Sequence, residues 1–169
     1  TEITDEVFED AIGTKGTSVG LKFIADGNYY LSGDYELEQM ICVMPGQNIT
    51  ICLNGYTINQ STAGKRVIYV SKGTVNICDC TNSGRITGAD VTVNGGAMIA
   101  NGSEVQVNLY DITFTGNKAA NGGAISVHGG ANVTLNGVTV TGNTATAQGG
   151  GIYVADNGSK LTLENVTVT

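Results

Sequence analysis

The side chains able to do chemistry are few in this chain. It has one histidine (His128), four cysteines, fifteen acids and two arginines, Arg66 and Arg85. A glycoside hydrolase needs two carboxylates converging across a cleft. Nine of the acids, Glu2 to Glu38, come before the regular part of the chain, and the other six (Asp79, Asp90, Glu104, Asp111, Asp156, Glu164) are dispersed. Asp111 and Glu164 fall at or beside positions that are Asn54-Gly55 and Asn136-Gly137 elsewhere, so they read as turn residues. Calcium-assisted lyase chemistry would need an acidic cluster beside a basic residue, and none lines up with Arg66 or Arg85. Asp26-Gly27-Asn28 and Asp156-Asn157-Gly158 offer oxygens, but neither has a full calcium-loop spacing. His128 follows Ile125-Ser126-Val127 in a Gly-rich stretch with no evident carboxylate or Cys partner, which predicts an exposed loop residue. The expectation is no catalytic residue, no cofactor and no metal.

Cys42, Cys52, Cys78 and Cys80 permit two disulfides in any of three connectivities, or serve as small half-buried residues. Cys78-Asp79-Cys80 is too compact for a CxxC redox motif. Net charge is −7 with single, scattered basic residues, so the clustered Lys/Arg that nucleic acid requires is missing. The longest apolar run, Met40 to Met44, is too short to span a bilayer, and no membrane insertion by this segment is expected. The chain opens Thr1-Glu2-Ile3-Thr4-Asp5, as a secreted protein would after processing.

The elements that would position these residues follow from a repeat. Gly95-Gly96-Ala97-Met98, Gly122-Gly123-Ala124-Ile125 and Gly149-Gly150-Gly151-Ile152 begin 27 residues apart, and Ile41 to Ile68 is the same step. Each unit adds a second block, such as Val133-Thr134-Leu135-Asn136-Gly137-Val138-Thr139-Val140, matched with Ile51 to Ile58, Val107 to Phe114 and Leu161 to Val168. Val75-Asn76-Ile77 starts a copy interrupted by a bulged loop from Cys78 to Arg85. Each unit thus holds three short alternating segments, which place one set of side chains inward and the other outward. Strands so short cannot bury a face alone. Stacked coils can, each strand pairing with its copy one rung away at about 4.8 Å.

The fold class read from this is all-β: a right-handed parallel β-helix with three strands per coil and about five coils of ~27 residues. The inward ladders are Ile41, Ile68, Met98, Ile125, Ile152; then Leu53, Ile77, Leu109, Leu135, Leu163; then Ile58, Ile86, Phe114, Val140, Val168. Asn117 and Asn143, each closing a Thr-Gly-Asn, suggest an inward Asn ladder. Residues 4 to 12 read as a short capping helix, with Thr4 as N-cap, Gly13 as stop and Val7, Phe8, Ala11 and Ile12 as an apolar stripe over the open end. The organisation is therefore residues 1–26 as N-terminal cap and 27–169 as repeats. Thr169 stops where earlier copies continue with Gly-Asn, which predicts a larger natural chain.

Gly122-Gly123-Ala124-Ile125 paired with Phe114-Thr115-Gly116-Asn117 resembles the GGA[IL]/FxxN repeat of chlamydial polymorphic outer membrane proteins. Val140 in place of Phe and Met98 in the first GGA block depart from it. The stretch from Tyr30 to Ile58 is similar to β-helical surface proteins of gut bacteria. The repeat, the acidic surface and the lack of a catalytic cluster point to a module whose faces or loops bind a host-surface or glycan ligand. The resemblances imply a secreted or cell-surface, adhesin-like protein. They carry no binding residues over, because the matching positions are structural.

Three other readings stay open at this point. The segment could act as a spacer, a purely structural stalk that binds nothing. The segment could belong to a β-helical polysaccharide lyase or glycoside hydrolase whose catalytic coils lie elsewhere. Thr113 and Thr115, Thr139 and Thr141, and Thr167 and Thr169 form an outward array of the kind ice-binding solenoids use, although Thr also suits any solvated sheet face.

Overall fold

A computed structural model describes residues 1–4, 8–10 and 21–169, and shows parallel strands wound into a solenoid. The first sheet stacks Leu21–Ile24, Met40–Val43, Ile68–Val70, Met98–Asn101, Ile125–His128 and Ile152–Val154. The second stacks Gly27–Tyr30, Asn48–Cys52, Gly73–Cys78, Val105–Tyr110, Asn132–Asn136 and Lys160–Glu164. The third stacks Tyr35–Leu37, Thr57–Gln60, Arg85–Thr87, Thr113–Thr115, Thr139–Thr141 and Thr167–Val168. About five turns of ~27 residues result. The first turn is shorter, because Leu21 already pairs with Met40, 19 residues on (40 − 21). The parallel ladder thus reaches back to Leu21, ahead of the boundary expected at residue 27.

The inward ladders on the first and third sheets stand as read. Met98 is in register with Ile68 and Ile125, and Ile125 with Ile152. Phe114 lies between Ile86 and Val140 and is fully buried. Like side chains stacked on like keep the cross-section constant, and each buried aliphatic contributes roughly 1.5–3 kcal/mol.

The second-sheet ladder needs one correction. Ile77 is in register with Leu109 and Leu109 with Leu135, but the residue below Ile77 is Ile51, not Leu53. Leu53 is fully buried at the corner beyond the strand, where its N–H donates to Cys78 O at 2.8 Å. The sequence Ile49-Thr50-Ile51-Cys52-Leu53 alternates throughout, so a slip of two residues keeps every side chain on its own face. Two extra residues in that corner absorb the difference.

The helix expected over residues 4 to 12 falls partly outside the described residues, at 5–7 and 11–12. Within that stretch Phe8–Asp10 is a strand, antiparallel to Leu21–Ile24. Thr1 to Thr4 run beside Gly27–Tyr30, with Ile3 N–H donating to Tyr30 O at 2.8 Å and Ile3 buried. The described part of the N-terminal end is therefore covered by strand pairing, which removes an open sheet edge as a helix would. A fourth, two-stranded parallel sheet was not expected: Lys118–Asn121 beside Thr144–Gln148, with an irregularity between Ala119 and Asn121.

The repeat's own residues have structural reasons. Gly122 has φ +62°, which turns the chain into the first-sheet strand. A Cβ on Gly123 would run into the carbonyl oxygens of Gly150 and Thr144, so only Gly allows successive coils this close. Gly123 N–H donates to Gly149 O at 3.1 Å across that approach.

Candidate functional site

The outward row of the first sheet runs Cys42, Tyr69, Ile99, Ser126, Tyr153, each in register with the next. His128, two residues after Ser126, shares its face. This corrects the reading of His128 as an exposed loop residue: it ends the Ile125–His128 strand, with its side chain 12% exposed. Ser126 Oγ and His128 Nε2 are 2.6 Å apart, His128 Nδ1 is 3.6 Å from Asp156 Oδ2, and the Tyr153 ring lies 5.6 Å away. Asn94 Nδ2 is 3.4 Å from the same Nε2. The repeat contained this signal. Val127 is opposite Val154, which puts Asp156 just past the rung position of His128.

Ser, His and Asp in this order are the parts of a nucleophilic triad. The geometry does not make one. Ser126 is fully buried, so no carbonyl carbon can reach its Oγ. At 3.6 Å the His128–Asp156 contact is too long for a hydrogen bond, and Asp156 Oδ2 accepts the Gly129 N–H at 3.1 Å instead. The cluster works as a polar filling of the outer face.

Five of the six acids of the regular coils have separate partners. Asp90 pairs with Lys118 and Glu104 with Lys72, both at 3.5 Å, and Glu164 accepts from Asn136 Nδ2 at 3.0 Å. Asp111 occupies a left-handed corner at φ 56°, the turn role read for it. Arg66 lies over the Tyr69 ring at 5.8 Å and donates from Nη2 to Asn94 O at 3.0 Å. Among the described residues no group of three His, Cys, Asp or Glu could hold a metal ion.

Asp79 is the most heavily bonded acid. It begins the bulged corner and is buried. Its carboxylate accepts N–H bonds from Gly55 (2.5 Å), Ser83 (2.9 Å), Thr81 (3.1 Å) and Gly84 (3.1 Å), and the Thr81 hydroxyl at 2.8 Å. Burial alone would raise its pKa. The donors, Gly55 and Gly84 first, outweigh burial and hold it at about 2.

The four cysteines are free thiols. Cys42 is buried on the first sheet, opposite Tyr69. Cys52 and Cys78 are register partners on the second sheet, and Cys52 Sγ lies 3.8 Å from Cys80 Sγ in the corner above. The threonine array is brought together as read. Thr113, Thr139 and Thr167 form one outward row on the third sheet, with Thr115 and Thr141 on the next, where Thr169 Oγ1 donates to Thr141 Oγ1 at 2.8 Å.

The Asn ladder is also present. Asn117 and Asn143 turn inward at the end of the third strand, and each donates to carbonyls of its own rung and the one below: Thr115 and Ile86 for Asn117, Thr141 and Phe114 for Asn143. With Phe114 filling the core and Gly122-Gly123-Ala124 turning into the next coil, these are the residues a family repeat would have to keep. Residues 111–128 and 137–155 match the Chlamydia polymorphic membrane protein repeat. The two matched stretches span successive coils from the third strand, through the Asn and the Gly-Gly turn, to the first-sheet strand of the next rung. What the polymorphic membrane protein repeat shares with this chain is thus the coil's architecture. No curated protein and no solved structure matches the chain.

Proposed function

We propose that this chain is part of a surface-exposed, right-handed β-helix that presents its faces and corner loops to a host-surface or glycan ligand and catalyses nothing itself. The observation that carries this reading is the pair of matches to a membrane protein repeat, which points to the cell surface. The right hand follows from the general rule for parallel strand crossovers. The absence of chemistry in these coils is supported by the separate partners of five of their six acids and by the buried Ser126. The adhesin role draws on the solvated outer faces, where polar side chains such as Asn76 and Asn108 form rows. Glycan and mucin arrays probed with the folded chain test it. Saturable binding to a defined ligand class is expected, and silence across glycans, mucin and host cells with an intact longer protein would defeat it. Turnover of pectin-like polymers would instead favour the carbohydrate-active enzyme.

A second reading is favoured by one observation, the in-register Thr113/Thr139/Thr167 and Thr115/Thr141 rows. An ice-binding face would give thermal hysteresis that Thr139→Lys abolishes. Arg85 interrupts the Thr57–Thr113 row, and the Thr169–Thr141 bond uses hydroxyls such a face would offer to water.

A further inference from the structure

We infer that Cys52 and Cys80 form an intramolecular disulfide under oxidising conditions, clasping the bulged corner of the third coil to the rung before it, while Cys42 and Cys78 remain thiols. Cys52 Sγ and Cys80 Sγ are already 3.8 Å apart, so closing to a bond of about 2.05 Å takes a movement of under ~2 Å. Cys80 can supply it. It is exposed and lies in the corner just beyond the Gly73–Cys78 strand, outside the ladder hydrogen bonds. Asp79 fixes the corner by its bonds to Gly55, Thr81, Ser83 and Gly84, and so holds Cys80 over Cys52.

Cys78 is the competing partner, and its position argues against it. Cys52 and Cys78 stand opposite each other on adjacent parallel strands. Their Cβ atoms are spaced by the rung at about 4.8 Å, whereas a disulfide needs about 3.8 Å. Two ladders locked by backbone bonds on both sides cannot approach by that much. Burial, and then the neighbouring Cys52, push the Cys78 thiol up to about 11; contact with Cys52 raises Cys80 too, but Cys80 alone of the four is exposed to an oxidant in solution. Cys42 is enclosed on another sheet, and burial raises it to about 11 as well.

The chemistry balances with a small-molecule disulfide such as oxidised glutathione as oxidant. The exposed Cys80 thiolate attacks one sulfur of that disulfide, expelling a thiolate and leaving a mixed disulfide on Cys80. Cys52, as thiolate, then attacks the Cys80 sulfur and expels the second. The two protein protons pass to the two departing thiolates, so one disulfide is reduced to two thiols as the protein's own forms.

The folded chain is incubated with oxidised glutathione and its thiols are counted after denaturation. The count should fall from four to two, with the monomer retained on non-reducing electrophoresis. Combined cleavage after Lys/Arg and before Asp separates Cys78 (residues 73–78) from Cys80 (residues 79–85); the peptide of residues 34–65, which carries both Cys42 and Cys52, should be joined to the latter, with fragmentation spectra placing the bond at Cys52. Cys42→Ser and Cys78→Ser should keep the link; Cys80→Ser should form none, and Cys52→Ser should stop at the glutathione mixed disulfide on Cys80. The oxidised protein should melt about 5–10 °C above the reduced one. A link to Cys78 or Cys42, a link between molecules, or four persisting thiols in wild-type protein of unchanged circular dichroism would each overturn the inference. The wild-type peptide map decides even if a variant fails to fold.

Discussion

Asn117 Nδ2 and Asn143 Oδ1 are 3.0 Å apart across one rung, and the same Oδ1 accepts the Asn117 backbone N–H at 3.0 Å. Asn117 Oδ1 in turn accepts the N–H of Ala89 below it at 3.2 Å. Each amide thus satisfies backbone groups that the turn out of the third strand would otherwise bury unpaired.

Asn117→Ala removes partners from Ala89 N–H and from the carbonyls of Ile86 and Thr115. It should cost about 3 kcal/mol, read as a lowered urea midpoint. Asn143→Ala should cost less, because Asn143 is less buried than Asn117. Equal small losses for both would mean that water replaces the ladder.

Asp79 predicts an acid-sensitive corner. Its folded pKa of about 2 lies below the ordinary carboxylate value of ~3.9, so its stabilisation is complete above pH ~4 and is lost as pH falls through about 2. The difference corresponds to about 2 kcal/mol. Subtracting the stability curve of Asp79→Asn from that of wild type should leave a step of this size between pH 4 and pH 2. A flat difference would remove the carboxylate's role.

The Ser126–His128 pair should behave as structure. His128→Ala leaves the buried Ser126 hydroxyl without its 2.6 Å partner and should destabilise by about 1–3 kcal/mol. Adding Ser126→Ala should recover much of that loss, a coupling that a double-mutant cycle reads directly. A fluorophosphonate probe should not label Ser126, and labelling would reopen the nucleophilic reading.

Glycines that face the next coil should tolerate a methyl less than glycines in open corners. Gly123→Ala drives a methyl into the Gly150 and Thr144 carbonyls and should cost about 3 kcal/mol. At Gly33 nothing lies within 4 Å of a new Cβ, so Gly33→Ala should stay within about 0.5 kcal/mol. Thermal melts of the two variants compare them.

The amino-acid sequence alone determined the solenoid, because a 27-residue recurrence of Gly-Gly turns and alternating β-formers leaves three short strands no way to bury a face except by stacking. It placed Met98, Phe114 and Asn117 on the inside and the threonine rows on the outside, since alternation reports which face a side chain takes. Alternation does not report register. A two-residue shift is silent, so only the folded chain showed that Ile51, not Leu53, lies under Ile77. The strand at Phe8–Asp10, where a helix was expected, arises from pairing with Leu21–Ile24, a partner that local propensity does not register. His128 meeting Asp156, and Cys80 lying over Cys52, depend on how many residues each corner absorbs between rungs, and that is set by tertiary packing, not by any one segment.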